Sequence, residues 1–371
     1  MADQQILFAR EAFSSFGEVQ LVDGRSIDRQ HIKDADVLLV RSVTKVNESL
    51  LKGSNIKFVG SATSGIDHID TDYLKKSNIT FTHALGSNAR SVAEYILSSL
   101  LVTAEQQGFS LKEKTVGIIG CGQVGSRVKR FMDVLGVKCL LNDPPLARKT
   151  SDHNYVELEE LSQADIITLH VPLTRKGEFP TNKLVNQTFL DKLKSDVILV
   201  NTSRGEVIDE AALLAFKQAN AASTLILDVW CNEPEIDINL LQKTFIATPH
   251  IAGYSYDGKV KATEILFDAL NDYAGKELLK ADLLKPEQEK VTIDDDAIQL
   301  AVLQSYDVRS DASALMELMN LEDNKRAAYF DSLRKNYPIR REFTGRNIQT
   351  SRMNDELKQQ LQQLGFNVET L

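Results

Sequence analysis

Residues 115–143 read TVGIIGCGQVGSRVKRFMDVLGVKCLLND, and the fold follows from how this stretch is punctuated. Val116, Ile118 and Ile119 form a short β-branched run; Gly120, Gly122 and Gly125 follow in the G-x-G-x-x-G spacing; Val128, Phe131, Met132 and Leu135 then recur at helical intervals. A strand stops where a helix begins. Gly120 permits the tight turn, Gly122 lets a pyrophosphate approach the backbone, and Gly125 lets the helix pack close to the strand. Unpaired N–H groups and the positive end of the helix dipole can then hold anionic oxygens without a Lys or Arg. A second apolar run, Val137 to Leu141, leads to Asp143, where an acid suits ribose hydroxyls and repels the extra phosphate of NADP. The stretch predicts a dinucleotide site that takes NAD. Arg148 and Lys149, just past this acid, are the residues that could instead meet a 2′-phosphate.

The 371 residues, 43% hydrophobic and 26% charged, are enough for two or three domains with sizeable cores and exclude a disordered or collagen-like chain. A net charge of −9 argues against general affinity for nucleic acid or an anionic membrane, so attraction of an anionic substrate must be local. Cys121, Cys139 and Cys231 are scattered, and MADQQILFAR lacks a secretory pattern, so a reducing, cytoplasmic location is expected. No apolar run approaches the roughly 18 residues of a membrane span. Cys121 reads as a small packed residue rather than a redox centre, and no metal site is expected.

Between residues 5 and 82 the segments QILFAR, EVQLVD, DVLLVR, IKFVGSA and ITFTHA read as strands, with helix-compatible stretches such as Glu11 to Phe16 and Val46 to Leu51 between them. Ligands of open α/β sheets bind outside the carboxyl ends of strands. Arg41, Ser42, Thr44 and Lys45 stand at one such end, and Ser61 to Gly65 at another. Ordinary turn chemistry accounts for Ser, Thr and Gly about as well as anion binding does; Arg41 beside Ser42 tips the reading toward an anion. Asn88 to Gln107 predicts one long amphipathic helix, stopped by Gly108 and joining two domains. After the glycine turn, ADIITLHVPLT (164–174), DVILVNTSRG (196–205), TLILDVW (224–230) and FIATPH (245–250) alternate with helical segments and predict a doubly wound parallel sheet. Lys259 to Leu270 is helical again. A linker, KADLLKPEQEK (280–290), and an acidic patch, Asp294 to Asp296, open a third, smaller domain. Within it, Lys325, Arg326, Arg334, Lys335, Arg340 and Arg341 interleave with aromatic and apolar residues, and read first as a solvated basic face beside an interface.

Three residues at strand ends could carry chemistry: Arg204 in NTSRG, Glu233 in DVWCNEP and His250 in TPHIAGY. A guanidinium can hold a carboxylate through two bonds, a histidine can exchange a proton near neutrality, and a carboxylate can orient that histidine. Singly, each is explained as well by loop or surface hydrogen bonding. Downstream of a dinucleotide site, the three together supply what hydride transfer from a hydroxyl carbon needs.

GCGQVG with Asp143, HVPLT, NTSRGEVID, DVW with Glu233-Pro234, and TPHIAGYS occur in this order, and together they resemble the D-isomer-specific 2-hydroxyacid dehydrogenases over roughly the first 280 residues. The resemblance implies that Arg204 binds a substrate carboxylate, that His250 is the acid/base and that Glu233 supports it. It also implies that Gln123, Val124, Asp143, Val171, Thr202, Ser203, Asp228 and Gly253 line an NAD site with the three glycines. The implied fold is α/β, with two doubly wound parallel-sheet domains and a small C-terminal α+β dimerisation domain. Residues 91–250 would form a Rossmann NAD domain inserted in a flavodoxin-like substrate domain made of 1–90 and 251–280, with 281–371 serving dimerisation. A narrower resemblance within the family rests on RSVTKVNESLL (41–51), the SAT loop ending at Thr63, Tyr254, and a tail containing SYDVR and LRKNYPIRREF. It implies a phosphorylated hydroxy-acid substrate at Ser42, Thr63 and Tyr254 and a homodimer; Arg41 is added as a phosphate contact. The tail reads as mostly helical and charged, not as the four-stranded regulatory module of other members, and KGEFPTNKLVN (176–186) departs from the family as an insertion. The competing readings are a D-3-phosphoglycerate dehydrogenase or another D-2-hydroxyacid dehydrogenase and, from another class, a non-catalytic NAD-sensing binding protein on the same scaffold.

Overall fold

The computed structural model describes residues 1–150, 154–278, 287–293, 297–350 and 354–370. The chain divides into two compact units, Met1–Asn88 with Ser255–Glu287, and Ala89–Tyr254 with Gln288–Leu371.

In the first unit β1 (Ala2–Asp3), β2 (Leu21–Val22), β3 (Val37–Val40), β4 (Phe58–Ser61) and β5 (Thr80–His83) form one parallel sheet in the order β2-β1-β3-β4-β5. This is the flavodoxin-like order. Period-2 alternation divides the core: Leu39 and Phe58 pack on one side with Phe13 and Phe267, while Leu38, Val40 and Val59 pack on the other with Ile32 and Leu74. The helix Tyr256–Ala274 brings the chain back, capped by the Ser255 hydroxyl at 2.9 Å from Gly258 N–H and closed by Gly275 at φ 59°. QILFAR is not a strand. Asp3 accepts from the N–H groups of Gln5 and Ile6 and ends β1 in a turn, so Ala9, Ala12 and Phe13 are buried at helical spacing in Ala9–Phe13.

The second unit holds β6 (Thr115–Ile119), β7 (Lys138–Asn142), β8 (Ile166–Leu169), β9 (Ile198–Asn201), β10 (Thr224–Leu227) and β11 (Ile246–Ala247) in a parallel sheet ordered β11-β10-β9-β8-β6-β7. A single bridge, Leu141 to Tyr155, continues it beyond β7. The strand order reverses at β6, so the carboxyl ends of β6 and β8 border the ligand crevice of this sheet type.

The helix Ala89–Gln107 begins this unit, and here the amphipathic expectation fails. Every residue from Ser91 to Ala104 is buried, Ser91, Glu94 and Ser98 included. The C-terminal stretch covers its polar side. The Ser98 hydroxyl donates to Tyr306 O at 2.9 Å, and Glu94 accepts from Phe343 N–H at 2.9 Å. That stretch contains a second departure. β12 (Glu289–Thr292), β13 (Arg346–Thr350) and β14 (Asn367–Thr370) form a parallel sheet in the order β12-β13-β14, although their sequences are largely polar. Arg340 and Arg341 are buried rather than solvated. Most of the expected linker, and Asp294 to Asp296, lie outside the described residues.

Candidate active site

After β6, Gly120 turns the chain at φ 88°, and a Cβ there would also press on His170 O and Val171 Cγ1 at 2.7 and 2.8 Å. Gly125 opens the helix Gly125–Val134 so tightly against the turn that a Cβ would strike Gly120 O. Gly122 differs, because a Cβ there would meet nothing within 4 Å. Two glycines are thus required by the chain itself, while the third leaves backbone open to a ligand. Asp143 follows β7 and accepts from Cys121 N–H at 2.8 Å and Leu146 N–H at 3.0 Å, tying the second strand end to the glycine turn. Each of its oxygens keeps a lone pair for a ribose hydroxyl. Val124 occupies the N-cap position without a capping side chain, and the Gln123 side chain accepts from Arg127 at 3.0 Å. Arg148 is engaged elsewhere: it pairs with Glu178 at 2.5 Å and lies 4.7 Å from the Phe179 ring, both residues of the KGEFP insertion.

Two buried polar atoms at neighbouring strand ends have no hydrogen-bond partner among the described residues: Thr202 Oγ1 after β9 and His170 Nδ1 after β8. A dinucleotide's polar groups fit such a lining. His170 carries no signal of its own within HVPLT; burial holds it neutral, down to about 3, with Nε2 3.0 Å from Thr168 Oγ1.

The three candidate catalytic residues stand on the turns that follow β9, β10 and β11, and the first two of these turns share the Trp230 backbone. In NTSRG, Asn201 Oδ1 accepts from Ser203 N–H (3.0 Å) and Oγ–H (2.8 Å), and its amide donates to Arg204 O (2.9 Å). Arg204 donates to Ser203 O at 2.7 Å. Gly205 lies so close to Trp230 and Cys231 that a Cβ would enter their peptide group. On the second turn, Glu233 Oε1 accepts from Trp230 N–H at 3.0 Å, and Oε2 stands 2.8 Å from His250 Nδ1. Burial pushes the Glu233 carboxyl up, but His250 and the Trp230 N–H outweigh it and hold it below the usual range.

His250 has a left-handed backbone, φ 58°, which costs a β-carbon residue energy unless its surroundings enforce it. Asp228 enforces it. Its carbonyl accepts from His250 N–H at 2.7 Å, while its fully buried carboxylate accepts from Ile251 N–H (2.7 Å), Ala252 N–H (3.0 Å) and Thr248 Oγ–H (2.7 Å). Burial raises the Asp228 carboxyl, against the pull of His250 and these donors. The Tyr95 hydroxyl reaches Thr248 Oγ1 at 2.8 Å, and Gly253 O lies 3.4 Å from Ser91 Oγ. Arg340 donates to Ala252 O at 3.2 Å and Ser91 O at 2.5 Å, so the C-terminal stretch also holds this loop. Tyr254 follows, its hydroxyl 3.2 Å from Arg334 Nη2.

Arg41, Ser42 and Thr63 belong to the first unit. Arg41 is half-buried and Ser42 exposed just after β3. Thr63 Oγ1 is 2.7 Å from Ser61 Oγ and donates to Gly65 O at 2.9 Å, and Ser61 Oγ is 3.0 Å from His68 Nε2.

Residues 86–252 match the family model described as D-isomer specific 2-hydroxyacid dehydrogenase, NAD binding domain, and residues 278–365 match a domain of unknown function, DUF3410. An erythronate-4-phosphate dehydrogenase of Hahella chejuensis is 46% identical over 376 residues, covering 99% of this chain and 98% of that one. The chain belongs to the erythronate-4-phosphate dehydrogenases of the D-isomer-specific 2-hydroxyacid dehydrogenase family. A member of the same name from Escherichia coli O139:H28 is 44% identical over 352 residues, 93% of this chain and 92% of that one. Two solved structures extend the family comparison. An Aquifex aeolicus D-lactate dehydrogenase complexed with NAD and lactic acid has 27% identity and a TM-score of 0.58, covering 72% of this chain and 92% of its own. An Entamoeba histolytica 3-phosphoglycerate dehydrogenase with bound NAD+ has 28% identity and a TM-score of 0.63, covering 74% and 92%. The chain is thus an NAD-dependent oxidoreductase. Among the described residues no helix is long and apolar enough to cross a membrane, and no group of three His, Cys, Asp or Glu could hold a metal ion.

Proposed function

We propose that this chain oxidises 4-phospho-D-erythronate to (R)-3-hydroxy-2-oxo-4-phosphooxybutanoate with NAD, in pyridoxal 5′-phosphate biosynthesis. The 2.8 Å pairing of His250 Nδ1 with Glu233 carries the reading, in a chain 46% identical along its length to a relative of that name. An Nδ1 proton held by Glu233 leaves Nε2 as the acceptor for the C2 hydroxyl proton, and Glu233 stabilises the imidazolium that results. The C2 hydride leaves to the nicotinamide, the acceptor NAD supplies when bound. Arg204 clamps the carboxylate. Gly120, Gly122, Gln123, Val124, Gly125, Asp143, Val171, Thr202, Ser203, Asp228 and Gly253 hold the cofactor, and Arg41, Ser42, Thr63 and Tyr254 contact the substrate. Residues 1–90 and 251–280 serve as the substrate domain and 91–250 as the NAD domain. The chain works as a cytoplasmic homodimer joined through 281–371.

NADH formation measured side by side with 4-phospho-D-erythronate and 3-phospho-D-glycerate tests this. The expected result is a clear preference in kcat/KM for the former; preference for the latter, or no turnover of either, overturns it.

A further inference from the structure

Arg334 sits in the last turn of the helix Asp323–Lys335, within the stretch that matches a domain of unknown function. A guanidinium has five N–H donors and needs acceptors or water for each. Here Nη2 donates to the Tyr254 hydroxyl at 3.2 Å, and the guanidinium carbon lies 5.9 Å from the centre of the Tyr254 ring. Arg334 Nε is buried with no partner, and no carboxylate lies within ion-pair distance of this side chain among the described residues. The nearby acids do not fill the gap. Glu233 accepts from Trp230 N–H and pairs with His250, Asp228 accepts from Thr248, Ile251 and Ala252, and neither carboxylate bonds to Arg334. Their fields nonetheless reach Arg334 and favour its charged state against burial. A cation is therefore held beside the His250–Tyr254 loop with its Nε donor buried and unused, an arrangement that costs stability unless an acceptor completes it.

We propose that Arg334 is a substrate-binding residue that takes the phosphate of the hydroxy acid, with the Tyr254 hydroxyl as its neighbouring donor. The inference rests on the function proposed above, in which Arg204 engages the carboxylate and the phosphate is the other anionic group. It gives the C-terminal stretch a part in recognition besides dimerisation, and a guanidinium fork suits phosphate oxygens better than a point charge does.

The test compares wild type with Arg334→Gln and Arg334→Lys on 4-phospho-D-erythronate and unphosphorylated D-erythronate at saturating NAD. A charge-assisted contact of this kind is worth roughly 10- to 100-fold, so the kcat/KM ratio of phosphorylated to unphosphorylated substrate should fall by that factor in Arg334→Gln, mainly through KM, and by less in Arg334→Lys. An unchanged ratio overturns the proposal, whether both activities survive or both fall together, since a residue that only positions the loop would lower them alike. If Arg334→Gln does not fold, the ratio in Arg334→Lys decides by the same rule. A second readout needs no turnover: inorganic phosphate should raise the Tm of wild type more than that of the variants, and equal shifts overturn the proposal. Absence of wild-type turnover with 4-phospho-D-erythronate would fall on the proposed function alone, leaving the phosphate-induced shift to judge Arg334.

Discussion

Replacing Glu233 by Gln changes almost no volume but removes the one property the site uses, two acceptor ends. Both neighbours are donors, Trp230 N–H at 3.0 Å and His250 Nδ1–H at 2.8 Å. An amide can satisfy only one of them. If its oxygen faces His250, its NH2 abuts Trp230 N–H, and two opposed donors in a part-buried turn cost about 1–3 kcal/mol. If its oxygen keeps Trp230, its NH2 faces Nδ1 and the imidazole must carry its proton on Nε2, the nitrogen meant to receive the substrate proton. The second arrangement breaks no backbone contact and should dominate. The same carboxylate-to-amide change behind a catalytic histidine of a serine protease costs about 10⁴ in kcat, roughly 5.4 kcal/mol at 1.36 kcal/mol per decade. The His250 side chain is 31% exposed, so water can share the imidazole, and the loss expected here is about 10²- to 10⁴-fold in kcat. Steady-state NAD reduction near neutral pH measures it, with NADH affinity and thermal midpoint as controls close to wild type. A kcat within about threefold of wild type would refute the argument that Glu233 sets the tautomer.

Gly122→Val should fold normally, since nothing surrounds the added carbon, yet bind NADH at least about tenfold more weakly because the pyrophosphate can no longer reach the backbone; unaltered affinity by fluorescence titration would place the cofactor elsewhere. Gly205→Ala drives a Cβ into the Trp230–Cys231 peptide, so urea unfolding should show a loss of about 1–3 kcal/mol and kcat/KM a drop approaching 10²-fold as Arg204 shifts from the Glu233–His250 pair. A variant like wild type in both measurements would show that the turn has slack. His170, held neutral down to about 3, binds no proton in the folded chain across a range where the unfolded chain does. Its contribution to stability is therefore full above about pH 6.5 and falls as pH drops toward 3, by up to about 1.4 kcal/mol per pH unit. His170→Asn should flatten the pH dependence of unfolding there by up to one proton; identical slopes would contradict the burial argument.

The glycine turn, Asp143 and the apolar strands of both large sheets apart from β1 were legible because each is written locally, in spacing and period. So were Arg204, Glu233 and His250 as candidates, each at a strand end. What was not legible depends on coverage by distant chain. The polar strands β12 to β14 have little alternation to read, with Val291 and Ile348 among their few buried apolar residues. Arg340 resembles any surface arginine until Ala252 O and Ser91 O accept from it and the Tyr306 ring lies 3.8 Å away. The family pattern marks Asp228 only as a cofactor contact, and it is the fold that brings its carboxylate to the two N–H groups that follow His250. His170 carries no sequence signal of its neutrality, which comes from burial alone.

The polar residues inside the helix Ala89–Gln107 make its sequence an indicator of domain composition. Ser91, Glu94 and Ser98 are tolerated in a buried helix because Glu342, Phe343, Tyr306 and Val308 supply them with hydrogen-bond partners. Without the C-terminal stretch those positions would face water, where larger charged residues serve equally well. In dehydrogenases of this architecture, small hydroxyls and a lone acid at this spacing on the helix before the glycine turn should therefore accompany a C-terminal extension. Genomes can be screened for that association from two short segments of sequence.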